Sequence, residues 1–221
     1  MSVDPERLAG WLTRFSASHG DVTCAATDTA VVLTAADGSV AACQVPFPPL
    51  RFDPSAPVRD LVAHASAERR VGVLLVRMGG HAAGVFAGTH LVASKVGSRQ
   101  VHGRSAAGGW SQHRFARRRE GQVRVALAAA VDTAVHVLGP ALGTLDAVVL
   151  GGDRRAVDGV LEDPRLAGLR RLVVEPFLDV PDPRLKVLEQ TPRQFRSVQV
   201  RLLDPPGPPE PAQPAPAAEP A

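Results

Sequence analysis

A chain of 221 residues, 45% of them hydrophobic, can bury a core as one large domain or two small ones. No apolar run reaches the roughly 18 residues that span a bilayer. The acidic start Met1-Ser2-Val3-Asp4-Pro5-Glu6 lacks the basic and apolar regions of a secretion signal, so a cytoplasmic protein without membrane association is expected.

Asp4-Pro5 suits the start of a helix, and Leu8, Trp11, Leu12 and Phe15 recur at helical spacing until His19-Gly20. Val22–Thr27, Ala30–Ala35 and Val40–Val45 read as short strands, the last two joined at Asp37-Gly38. Cys24 and Cys43 fall in neighbouring strands and are expected as a reduced, buried pair; no cysteine or histidine spacing suits zinc, and no metal or cofactor is expected. The proline-rich stretch from Pro46 to Pro57 reads as a connector.

Val58–Arg69 reads as a helix and Val71–Arg77 as a buried strand. Met78-Gly79-Gly80-His81 reads as a turn, followed by strands over Ala82–Ala87 and Thr89–Lys95. The apolar stripe Phe115, Val123, Leu127, Val131, Val135 and Leu138 predicts a helix from about Ser111 to Leu138, ended by Gly139-Pro140. Leu145–Leu150 is a further strand, Arg154–Glu162 a helix, Leu169–Glu175 a strand, Pro183–Gln194 a helix and Phe195–Leu203 a last strand.

These elements predict an α/β fold: a mixed sheet with flanking helices and at least one parallel pair, preceded by a small αβ N-terminal unit. The expected division is 1–57 for that unit and its connector, 58–203 for the main domain, and 204–221 for a disordered Pro/Ala-rich tail.

Charge is unevenly distributed. Lys95, Arg99, Arg104, Arg114, Arg117, Arg118 and Arg119 fall in one stretch without Asp or Glu, and removing these seven cations from a net +3 leaves the rest of the chain at −4. A basic segment interrupted by Gly108-Gly109 and Trp110 is the footprint of a polyanion site; the plainer alternative is a solvated basic face. Asp132, Asp146 and Asp153 have no spacing that would converge them on a catalytic metal, and Gly151-Gly152-Asp153 lacks the third glycine of a dinucleotide fingerprint. No nucleophile elbow or Walker loop is present.

The stretch Gly108-Gly109-Trp110-Ser111-Gln112-His113-Arg114-Phe115-Ala116-Arg117-Arg118-Arg119 resembles the middle domain of eukaryotic and archaeal class I peptide-chain release factors. There a Gly-Gly-Gln loop is followed by Ser and an Arg-Phe-Ala-Arg helix start. Gly108, Gly109, Ser111, Arg114, Phe115, Ala116, Arg117 and Arg119 match, and the likeness runs from about Val71 to Val180. Trp110 stands where that family has glutamine, and Gln112 follows two residues later. This displaced glutamine, with the upstream Gly97-Ser98-Arg99-Gln100-Val101-His102, is similar to the release-factor-like peptidyl-tRNA hydrolases of ribosome quality control, in particular their actinobacterial, Vms-like branch.

The resemblance implies codon-independent hydrolysis of peptidyl-tRNA on obstructed 50S subunits by a monomer. Gln112 would position water, and Gly108, Gly109, Trp110 and Ser111 would form the inserting loop. Lys95, Arg99, His102, Arg104, Arg114, Arg117, Arg118 and Arg119 would bind 23S rRNA and tRNA. Two alternatives stay open. One is a ribosome- or tRNA-binding factor that hydrolyses nothing, favoured by Trp110; the other is a tRNA endonuclease. Trp110 itself would either stack on RNA or fold back on its own domain.

Overall fold

A computed structural model describes residues 1–98 and 111–203, with the side-chain surroundings of 111–120 outside the described set. After the short strand β1 (Ser2–Val3), helix α1 (Pro5–His19) buries Leu8, Leu12 and Phe15, and Gly20 closes it at φ 84° by donating its N–H to the Ser16 carbonyl. Strands β2 (Val22–Ala26), β3 (Ala30–Ala35) and β4 (Val40–Gln44) form an antiparallel meander. Its second turn uses Gly38 at φ 88°, with the Asp37 carboxylate accepting from the Ser39 N–H and contacting His19 Nδ1 at 2.8 Å. Helix α2 (Pro57–Ser66) packs on the same sheet through Leu61 and Ala65.

The chain then builds a second sheet from β5 (Arg70–Arg77), β6 (Gly80–Ala87) and β7 (His90–Ser98), all antiparallel. The long helix α3 (Ser111–Leu138) crosses back to β8 (Ala147–Gly152), which lies parallel to β5. Helices α4 (Arg154–Leu161) and α5 (Ala167–Arg170) lead to β9 (Val173–Leu178), parallel to β8. The sheet order is β7-β6-β5-β8-β9. Helices α6 (Leu185–Glu189) and α7 (Pro192–Phe195) cover its other face, and the last strand β10 (Val198–Leu203) returns to the first sheet between β1 and β4. Both sheets are flanked by helices, a mixed α/β fold.

Each face of the second sheet has its own core. Leu74, Val76, Ala83, Val85, Val148 and Leu150 pack beneath α3 and α4 with Ala130, Ala134, Leu138, Val157 and Val160. Val73, Leu75, Ala82, Phe86 and Val149 face the other way, against Leu188, Phe195 and Phe47 of the connector. Phe195 meets Phe47 and Phe86 edge-on at centroid distances of 6.0 and 5.8 Å, which ties the connector to this sheet.

Several expectations change. Helix α2, placed by the sequence in the main domain, packs its apolar stripe on the first sheet, and Val198 and Val200 of β10 fill the same core. Cys24 is exposed on the edge strand β2 and only Cys43 is buried, its thiol pushed up to about 11 by desolvation. The turn before β6 is only Met78-Gly79, since Gly80 and His81 already pair with β7. The strand expected at 169–175 begins at Val173, because Leu166 and Leu169 are needed under α3 in a helical turn. The helix expected over 183–194 breaks in two at Pro192, which has no N–H to continue it. The window Gly121–Leu138 of α3 is long and apolar enough to cross a membrane by composition alone, yet its side facing the sheet is buried in the core. The stretch 204–221 lies outside the described residues.

Phe195→Ala should cost about 3–5 kcal/mol, since it empties the ring cluster linking connector, β6 and α7. Urea denaturation followed by circular dichroism measures this, and a loss below 1 kcal/mol would mean that the cluster does not tie these elements together.

Candidate functional site

Strand β7 ends at Ser98 and α3 begins at Ser111, so these two elements frame the basic segment. At 28 residues α3 is about 42 Å long, whereas the eight-residue strand β5 spans about 26 Å. The helix is therefore too long for the sheet to cover. Burial follows this: from 121 to 129 the side chains are partly or fully exposed, and fully buried positions begin at Ala130.

One imidazole fastens the base of this frame. His81 of β6 is buried, and its Nε2 lies 3.1 Å from the buried Thr133 hydroxyl of α3. Gly97 is its cross-strand partner on β7, and a Cβ there would stand 2.3 Å from His81 Nε2. The ring thus occupies the space that any larger residue at 97 would need, and it links β6, β7 and α3. Gly152 gives the neighbouring strand end a similar close fit: its φ is 102°, and a Cβ would meet the Val76 carbonyl oxygen at 2.2 Å. Steric need explains these glycines without a phosphate.

Lys95 is exposed on β7, opposite Ala83 and hence on the α3 side of the sheet. Ser111, Gln112, Arg114, Arg117, Arg118 and Arg119 lie in the first three turns of α3, with their side chains outside the described set. Gln112 is the second residue of that helix, among the first four whose N–H groups have no intrahelical acceptor. Helical spacing gives Arg114, Arg117 and Arg118 a common side. Arg99, His102, Arg104, Gly108, Gly109 and Trp110 lie outside the described residues.

The three aspartates have separate duties. Asp132 pairs with Arg165 at 3.1 Å, Asp146 accepts the Arg70 N–H at 2.6 Å, and Asp153 caps α4 by accepting the Ala156 N–H at 3.0 Å. Arg165 also grips Asp163, and this side-chain bond holds the Asp163 carboxyl below its ordinary range. Among the described residues no three acids, histidines or cysteines come together around a common point. The His81–Thr133 contact is not legible in the sequence, which places His81 in a turn; only strand register reveals what it faces.

Comparison with known proteins bears on the same region. The family model described as the Actinobacteria/chloroflexi VLRF1 release factor matches residues 69–201. Among solved structures, an archaeal translation termination factor, aRF1, is 17% identical with a TM-score of 0.40, over 74% of this chain and 51% of that one. The chain therefore spans about half the length of that factor. A Vms1 mitochondrial localization core is 10% identical with a TM-score of 0.46, over 88% of this chain and 82% of that one. Pelota of Archaeoglobus fulgidus is 14% identical with a TM-score of 0.30, over 87% and 60%. No curated protein sequence matches.

Gly97→Ala should force the His81 ring aside and destabilise the fold by about 1–3 kcal/mol, as overpacking does. Thermal denaturation measures the change, and an unaltered midpoint would show that the ring can move freely and does not fasten β7 to α3.

Proposed function

The chain belongs to the Actinobacteria/chloroflexi VLRF1 release-factor family, whose members are ribosome-associated translation factors, and we infer from this that it releases nascent peptide from obstructed 50S subunits without reading a codon. The observation that carries the reading is the position of Gln112 in the first turn of α3, three residues after Gly109 in the sequence. The reaction is hydrolysis: water attacks the ester carbonyl of peptidyl-tRNA, the bond to the terminal ribose oxygen breaks, and that oxygen takes up a proton.

An amide side chain does not titrate, so Gln112 acts by holding water and not as a base. The free N–H groups of the helix start would meet the developing oxyanion. Glycines at 108 and 109 allow close approach to crowded RNA. The cations Lys95, Arg99, Arg104, Arg114, Arg117, Arg118 and Arg119, with His102, grip 23S rRNA and the tRNA backbone. On this reading the protein works as a cytoplasmic monomer and needs no cofactor.

A second reading, a binding factor that hydrolyses nothing, is favoured by Trp110 at the position of the release-factor glutamine. An indole offers one donor and no acceptor, so it cannot hold water as an amide does. Peptide-release assays on stalled 50S–peptidyl-tRNA complexes separate the two. Gln112→Ala should slow release by about 100-fold or more and leave 50S binding intact. Trp110→Ala should have a smaller effect. Wild-type release by Gln112→Ala would sink the hydrolytic assignment, and no release by the parent protein would favour the binding factor. Cleavage within the tRNA chain would instead identify an endonuclease.

Replacing Arg117, Arg118 and Arg119 together by Ala should weaken 50S association and flatten its dependence on salt, as counterion release requires. Sedimentation across a salt series measures this; an unchanged series would remove the segment from the RNA contact.

A further inference from the structure

We propose that this chain makes a second contact with RNA phosphates, outside the loop, through Arg77, Arg154 and Arg155. The proposal rests on the ribosomal reading above and adds residues to it. Arg77 is the last residue of β5, and Arg154 and Arg155 follow the adjacent end of β8. Val76 pairs with Gly152 in the parallel β5–β8 register, and the Asp153 N–H donates to the Val76 carbonyl at 2.8 Å. Arg77, Val123, Ala126 and Ala156 line one small crevice, so the cluster abuts α3. Arg114 lies nine positions before Val123, about 14 Å along the helix axis. RNA gripped at the start of α3 can therefore reach this cluster.

The way these side chains are held is informative. Arg77 donates to the Val180 carbonyl at 2.6 Å, and the Arg154 guanidinium sits 4.2 Å from the centre of the Phe177 ring. Both partners are neutral, so they fix the side chains and leave the charges uncompensated. Arg59, Arg165 and Arg196 are each paired with a carboxylate instead. Among the described residues none of Arg77, Arg154 and Arg155 has such a partner, and all three are exposed.

Arg154 and Arg155 also occupy the first turn of α4, beside Asp153, whose carboxylate caps that end by accepting the Ala156 N–H. Among the described residues the aromatic ring in contact with the cluster, Phe177, is covered by Arg154, so the cluster would grip backbone and not read a base.

The test measures affinity of the full chain for deacylated tRNA and for 50S subunits across a salt series. R154A/R155A is compared with R170A/R171A, an equal charge loss at the opposite, amino end of β9. R154A/R155A should reduce the slope of log affinity against log salt by about two, one per lost phosphate contact, while the control leaves it unchanged. The tRNA and 50S arms show which RNA supplies the phosphates. The melting temperature of R154A/R155A should not fall below that of the control. If it does, R154Q/R155Q keeps more side-chain bulk than alanine, beside Phe177 at position 154, and removes the same charge.

Slopes equal to those of the control on both RNAs overturn this contact alone, provided that the Arg117, Arg118 and Arg119 triple variant still weakens binding. Loss of affinity in neither variant overturns this contact together with the ribosomal reading.

Discussion

Strand β5 buries every side chain from Val71 to Val76, which means that it must be covered on both faces. An antiparallel partner gives β5 hydrogen bonds but no cover. Cover comes from α3 and α4 on one face and from α6, α7 and Phe47 on the other. A parallel neighbour such as β8 can be reached only by a crossover, and α3 is that crossover. The basic segment is thus one end of an element that the core requires. Its footing is as firm as the packing of Ala130, Ala134 and Leu138 against the sheet.

The parts legible in the sequence are those fixed by local pattern. The stripe of α1, the Asp37-Gly38 hairpin, the apolar run of β5 and the apolar stripe along α3 each declare their element within a few turns of chain. What stayed hidden depends on distant partners. Nothing near Val198 says that its strand inserts between β1 and β4. Nothing near Cys24 says that β2 is an edge, with one side left open. The same divide runs through the site. The glycines, Gln112 and the arginines of the basic segment are contiguous and could be read directly. The His81–Thr133 contact spans 52 positions, and the Arg77–Val180 bond spans 103, so only the folded register exposes them.

The arginines fall into physically distinct groups. Arg59 and Arg165 are exposed partners of carboxylates, and such surface pairs contribute little to stability. Arg69 lies over the Phe47 ring and donates to the His64 carbonyl; burial lowers its pKa, as expected of a cation held for structure. Arg77 and Arg154 also have neutral partners but remain exposed at the surface. Net charge alone hides this division, because paired and unpaired cations count equally in it.

The place of β10 has a consequence for synthesis. Gln199 pairs with both Ser2 and Gln44, so strands from opposite ends of the described chain are neighbours in one sheet. A ribosome makes the chain in one direction, at about 5–20 residues per second. The backbone edge of β4 is therefore left unpaired for on the order of 10 s while the second sheet is being made. Closure of the first sheet is a late, long-range event, of the kind that slows folding and exposes strand edges to other chains. A nascent copy of this protein that stalls before β10 would carry that open edge on the ribosome itself.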